Sequence, residues 1–438
     1  MTAPRVGIVG GGILGVVLAY RLAQRGANVT LLERSPSVGG LAASMDFDGH
    51  IVDRFYHVIV PSDTRMIETA EELGIADDLH FSPTGVGFFI DGELHPLNGI
   101  GDFLRFSPLT PIQRARLAWF IAQCQVRSGY DSLDEIPLEQ WLRKHCGRRL
   151  TSRIWKPLLD SRFESRPNGL PATYLWARTR RMSSARQGAA RGEVMGALKG
   201  GHQQLIDALA QAAQSAGAKV RVGAPVEGLV LEGDGRVAGV RVGGVDERFD
   251  LTIATLQPPA LEFLLPAELK HLLDPYPRRY LGVVCLVLKV RESLSPFYSV
   301  NICDETPITT VVETSHVVGT DHTDGLRLLY VPRYCDPGAP EQTEDDESIY
   351  RRFTDYMSKM FPQFSRADVV AWTVQRAKLV EPVHELGAGT HIPPLFPAPG
   401  LGLVSNSQIY PWLLNGNSVM TMAESAAAEA TQRLSLSS

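Results

Sequence analysis

Three groups of residues carry spacings or side chains that can do chemistry. Gly10, Gly12 and Gly15 stand in GxGxxG spacing, and Glu33 follows 21 residues after Gly12. Glycine at the first position permits a tight turn, at the second lets a pyrophosphate approach the main chain, and at the third lets a helix pack close to a strand. An acid at Glu33's distance can accept hydrogen bonds from ribose hydroxyls. The second group is basic. From Arg143 to Arg191 thirteen Lys and Arg, among them Arg178, Arg180 and Arg181, face only Asp160 and Glu164. That segment is strongly positive in a chain whose net charge is −5. Guanidinium groups bind phosphate and carboxylate in two-point fashion. The third group is Arg54 and His57, which bracket an aromatic pair in "DRFYHVIVP", and Tyr410 and Trp412 in "IYPWLL".

The elements around the glycines are in register with that chemistry. Arg5–Val9 is short and β-branched, as a buried parallel strand requires. Ile13 and Leu14 open a stretch of helical apolar spacing that runs to Gln24 and is stopped at Gly26. The free N–H groups and partial positive charge of such a helix start suit a phosphate. Asn28–Glu33 reads as a second buried strand ending in the acid. Arg34, Gly39, Gly40 and Leu41 follow, and the second glycine pair suggests a second close backbone approach, as a longer dinucleotide needs. Five glycines in "VGIVGGGILG", with Arg21 and Arg25 beyond, argue against a signal peptide.

The stretch Val6–Gly40 resembles the flavoprotein family that includes monoamine oxidases, protoporphyrinogen oxidase, phytoene desaturases and UDP-galactopyranose mutase. The resemblance implies FAD, with this run holding the ADP half. The glycine pair, helix, strand, hairpin and strand of Gly200–Leu256 resemble the second piece of the same cofactor domain, where the backbone near Val226 would hold adenine. Gly400–Thr431 resembles the third, where the flavin ring would lie against a helix start at Gly416, Asn417, Ser418 and Val419. Many relatives carry Gly-Asp where this chain has Ser405–Asn406, so an amide or a water would replace the carboxylate contact. The resemblance also sets Tyr410 and Trp412 beside the substrate, His57 near the ring as a proton carrier, and Arg54 on the flavin or a substrate carboxylate. Packing roles for these side chains remain open alternatives.

The expected fold is α/β: a Rossmann-like FAD-binding domain with a parallel sheet (1–60, 196–262, 375–438), interleaved with an α+β substrate domain (61–195, 263–374). Within the latter, Tyr280–Val290, Thr309–Val318 and Leu326–Pro332 read as antiparallel strands, and Glu341–Glu347 as a solvated acidic loop. The expected function is an FAD-dependent oxidoreductase that takes hydride from a C–H next to an amine, or in a saturated C–C bond, to flavin N5. The alternative is a non-redox flavin isomerase of the galactopyranose mutase kind acting on an anionic sugar-type substrate, which His57 and the arginines favour.

Composition bounds the rest. A chain of 438 residues is too long for one ordinary core. Hydrophobic content of 44% and charged content of 21% describe a globular protein. The net charge gives no global bias toward nucleic acid, and a small-molecule substrate is the expected partner. Three uses of the basic segment stay open: pairing with acids elsewhere, receiving an anionic substrate, or meeting an anionic membrane together with the apolar face of Leu117–Ile121. Five cysteines without a CxxC pair point to a reducing cytoplasm. No metal is expected; His316 and His322 lie in a glycine-containing loop.

Overall fold

The computed structural model describes residues 3–164, 169–184 and 193–436. Arg166, Arg186 and Arg191 of the basic segment lie outside them. Five short strands gathered from three distant stretches of chain form one parallel sheet. Their order is Leu401–Leu403, Leu251–Ala254, Arg5–Val9, Asn28–Leu32 and Lys219–Arg221. Both faces are covered, which is why these strands read as apolar runs. On one face Ile8, Leu31 and Ile253 pack under the helices Ile13–Gln24, Gly201–Ser215 and Gly416–Arg433. The alanines of the last helix (Ala423, Ala426, Ala427, Ala430) are buried there and let helix backbones approach closely. On the other face Val9, Leu32 and Ala254 meet the three-stranded sheet Val226–Leu231, Val237–Val242, Val245–Arg248.

A second sheet has seven strands, ordered Val369–Val383, Arg279–Val290, Arg327–Cys335, Thr310–Glu313, Ser299–Ile302, Val86–Ile90, Glu93–Pro96. It is antiparallel except where Ser299–Ile302 runs alongside Val86–Ile90. Asp91 and Gly92 turn its outer hairpin with φ of 56° and 78°, the positive pair a two-residue primed turn demands. One face packs on the helix Asp346–Met360 through Phe353 and Met357. The opposite face, with Cys285, Tyr330 and Tyr334, meets Phe47, Val52 and Phe55 from the segment after the glycine pairs. A helical layer completes the molecule. Pro111–Val126, Leu138–Cys146, Lys156–Phe163 and Ala172–Ser184 bury Phe120, Trp141, Phe163 and Trp176 in a common core.

Two expectations are corrected. The strand expected over Thr309–Val318 stops at Glu313, and Ser315–Val318 forms a helical turn instead. Ser315 Oγ accepts the Leu328 N–H at 2.7 Å, which turns the chain out of the sheet. The acidic run Glu341–Glu347 is no free loop. Asp345 caps the helix Asp346–Met360 by accepting the Ser348 N–H, and Asp346 and Glu347 occupy its first turn, where negative charge suits the dipole. Glu344 and Asp346 pair with Arg352 and Arg376.

Candidate active site

The loop after Arg5–Val9 is built from contacts that only glycine admits. A Cβ on Gly15 would lie 1.9 Å from the Gly10 carbonyl oxygen, so the helix could not pack on the strand. Gly10 has φ +109°. A Cβ on Gly12 meets nothing within 4 Å: no protein contact requires glycine there, and the space is open to a ligand. The second glycine turn closes on the first. The Gly39 N–H donates to the Gly11 carbonyl at 2.8 Å, and a Gly40 Cβ would sit 3.2 Å from the Gly12 Cα. Leu41 follows, half-buried. Glu33 braces both turns. One carboxylate oxygen accepts the Gly11 N–H at 2.6 Å and the other the Ser35 N–H at 2.8 Å. Each retains a lone pair for a further donor. Arg34 is exposed beside it. Ala224 N–H donates to the Glu33 carbonyl, which brings the start of the Val226 strand to the same end of the loop. The donor set and the open glycine surface therefore fit a dinucleotide.

The C-terminal part meets this surface from the side. Asn406 Oδ1 accepts from Gln257 Nε2, which follows the strand Leu251–Ala254. The last helix starts at Gly416, whose Cβ would lie 2.6 Å from Met66 Sδ. Its cap is Asn415, which accepts the Ser418 N–H at 3.0 Å. Asn417 is turned to the Arg65 N–H, and Val419 is half-buried against the helix-covered core.

His57 sits in a cluster with Asp53 and His202, whose ligand-type atoms all lie within 4.8 Å of one another. The two imidazoles are 4.8 Å apart at their centroids, and His202 Nδ1 is 3.6 Å from Asp53 Oδ2. Asp53 Oδ1 accepts the His202 main-chain N–H. Burial first, and His202 second, push the His57 imidazole down to about 4, against the opposing pull of Asp53. Arg54 reaches the second sheet, where its Nε donates to Gln375 at 3.2 Å.

Tyr410 and Trp412 border a pocket closed on its other sides by Tyr174, Glu381 and His384. Tyr410 is buried, and its hydroxyl donates to Asp134. Trp412 is 56% exposed, with its ring 5.9 Å from Trp176. Glu381 is paired with Arg162, and Arg178 stands 3.9 Å from its other oxygen while donating to Tyr174 Oη. Burial pushes the Glu381 carboxyl up, but the two guanidinium groups outweigh it and hold the group below the usual carboxylate range. Burial pushes His384 down to about 4. Arg162 lies 4.0 Å over the Tyr334 ring, and Tyr334 hydrogen-bonds Tyr56, the neighbour of His57.

Arg178, Arg180 and Arg181 do not converge. They are consecutive or nearly so on one helix, and roughly 100° per residue splays them. Arg178 stands beside Glu381, Arg180 donates to the Arg127 carbonyl at 2.6 Å, and Arg181 pairs with buried Asp63. Asp53, His202, Arg162, Glu381 and His384 were not expected at a site. His202 carried one available signal, its place beside the Gly200–Gly201 pair; "EPVHE" around Glu381 carried none.

The model of the family described as flavin containing amine oxidoreductase matches residues 15–390. The chain belongs to this family. With the family come its flavin, FAD, and its oxidoreductase class. Coproporphyrinogen III oxidase of Staphylococcus aureus (strain NCTC 8325 / PS 47) is 26% identical over 168 residues, covering 35% of this chain and 35% of that protein. The match thus spans about a third of the relative's length. Among solved structures, an oxidoreductase from Methanosarcina mazei superposes with a TM-score of 0.74 at 18% identity, over 97% of this chain and 100% of the other. Reduced UDP-galactopyranose mutase superposes with a TM-score of 0.74 at 13% identity, over 98% and 96%. Both establish the shared fold.

Proposed function

We propose that this family member oxidises a small organic substrate that carries an anionic group. The observation that carries the reading is the pocket at Tyr410, lined by Tyr174, Trp412 and Glu381, with Arg162 and Arg178 beside that carboxylate. When bound, FAD would supply the hydride-accepting chemistry for oxidation of a substrate C–H. Gly10, Gly12, Ile13, Leu14 and Gly15 would take the pyrophosphate. Glu33 and Arg34 would take the adenosine ribose, Val226 the adenine, and Gly39, Gly40 and Leu41 the middle of the cofactor. Asn406 and the helix start Gly416–Val419 would meet the flavin end. We assign 1–60, 196–262 and 375–438 to this cofactor part and the remainder to the substrate part.

Tyr410 and Trp412 orient the substrate by their flat faces and exclude water. Arg178, beside Glu381, and Arg54 would hold its anionic group. His57 is neutral at pH 7, so it has no stored proton to give and would hold one only transiently, while Asp53 fixes the orientation of His202 beside it. Free, buried thiols at all five cysteines suit a reducing cytoplasm.

The test is anaerobic mixing of the FAD-loaded protein with a panel of amines, amino acids and carboxylic acids, followed by flavin absorbance. Bleaching by an anionic member, with its KM raised about tenfold or more in Arg178→Gln and kcat changed far less, supports the reading. An unchanged KM would overturn the anion assignment. Arg162 and Arg178 also favour the isomerase reading. Turnover that needs prior reduction and leaves no net redox change would replace the oxidase by that reading.

A further inference from the structure

The helix Pro111–Val126 buries Leu117, Phe120 and Cys124 on its inner side, so the face of Leu117–Ile121 is mostly core and not a free surface. Its outer side is apolar as well. Ile112, Trp119 and Val126 recur every seven residues and are 70%, 64% and 82% exposed. Exposed Ala115 and Ala122 fill the gaps between them. Seven residues are two helical turns, so the three side chains form one stripe about 20 Å long. The neighbouring helix Ile100–Arg105 adds Ile100 and Leu104, both more than half exposed. A globular helix ordinarily turns one polar side to water.

The charge around this stripe is mostly positive, with Asp102 the acid of the neighbouring helix. Leu104–Arg127 contains four arginines and no acid. Arg116 packs its guanidinium against Gly147, directly before exposed Arg148 and Arg149. Arg105, Arg116, Arg127, Lys144, Arg148 and Arg149 make no ion pair among the described residues. A polar pocket opens beside the first turn of the same helix, between Gln113, Ser152, Arg149 and Arg153. There Arg153 is paired with Asp91, and Asp304 is occupied by the Asp91 and Gly92 N–H groups at 2.8 Å each. Arg149 is left there without an ion pair among the described residues, as is Asp304, which is held by main-chain N–H groups alone.

We propose that this face is a peripheral docking surface for an anionic lipid bilayer. The stripe lies in the interface with Trp119 at its centre, the arginines reach the headgroups, and Arg149 with its pocket takes a headgroup phosphate. A second copy of the chain is the poorer occupant, because pairing the stripes across a two-fold axis would bring the arginines of both copies together. No described helix is long and apolar enough to cross a membrane, so the contact is superficial.

The test is co-sedimentation of the FAD-loaded protein with vesicles of phosphatidylcholine, alone or mixed with phosphatidylglycerol. The expected result is binding to the mixed vesicles at low salt and release at about 0.5 M salt, where charges are screened within a few ångströms. Ile112→Glu with Trp119→Glu should lower the partition constant about tenfold or more while thermal unfolding stays unchanged, since both side chains are exposed. Arg116→Glu with Arg149→Glu should weaken binding to the mixed vesicles alone. Failure of the wild type to sediment with mixed vesicles overturns the proposal. So does equal sedimentation of the Ile112/Trp119 variant, or a wild-type dimer in solution that this variant dissociates.

Discussion

His57 has its unfolded pKa near 6.5 and its folded pKa near 4, because the imidazole is enclosed and faces His202. Between those values the unfolded chain binds a proton that the folded protein refuses. Stability is therefore complete above about pH 6.5 and falls as the pH drops toward 4. The loss should be on the order of 2 kcal/mol from His57, and similar from His384, whose imidazole is pushed down to the same range. Carboxylates held low by partners, such as Glu72 at about 2, lose their contribution only below this window. Urea unfolding at pH 7 and pH 5 checks the point. The wild type should weaken over that interval, and His57→Gln should weaken measurably less; equal slopes would remove His57 from the account. The same neutrality leaves His57 without a proton to donate at pH 7, and no pattern around position 57 announces it. The sequence shows a histidine among aromatics, whereas the shift comes from burial and then from His202, 145 residues away, against the pull of Asp53.

At the scale of elements, the strand Val369–Val383 brings Gln375 to Arg54 and Glu381 to Arg162. Glu381 is the single carboxylate between two guanidinium groups in a closed space. Glu381→Gln would leave both unpaired and should cost about 3–5 kcal/mol. Replacing Arg162 as well should recover part of that loss, because the stranded charge is then gone. Thermal or denaturant unfolding of the two single variants and the double variant measures this. Additive losses would show that the pair does not act as a unit. Local signals read the cofactor elements well: strand, glycines, helix, second strand and acid lie within 33 residues and fall where expected. Of the antiparallel strands, Arg279–Val290 and Arg327–Cys335 are legible as apolar runs, whereas the run Thr309–Val318 leaves the sheet after Glu313. The pocket was not legible. Its ion pair joins residues 219 apart, and its carboxylate comes from a strand edge with no motif. The basic segment flagged a concentration of charge, but helix geometry divides it among Glu381, Asp63 and the surface.

At the scale of the molecule, the parallel sheet takes strands from residues 5–32, 219–254 and 401–403, and the site lies where it meets the seven-stranded sheet and the helical layer. Composition and the three cofactor stretches imply that interleaving, but the meeting point of sheet, helix and sheet depends on long-range packing. On the proposed reading the two glycine turns form one FAD cradle. Gly12 and Gly15 separate that reading from mere folding. Gly12 has φ −70° and open space before it, so Gly12→Ala should leave the apoprotein within about 0.5 kcal/mol of wild type. Gly15→Ala drives a Cβ into the Gly10 carbonyl and should destabilise the fold by about 1–3 kcal/mol. The most direct measurement is the flavin absorbance retained after reconstitution with FAD and gel filtration, on protein shown to be folded by circular dichroism. Wild type should keep the two-band spectrum of oxidised flavin, and folded Gly12→Ala should lose most of it. A folded wild type that retains no FAD, or a Gly12→Ala variant that retains as much as wild type, would contradict the account.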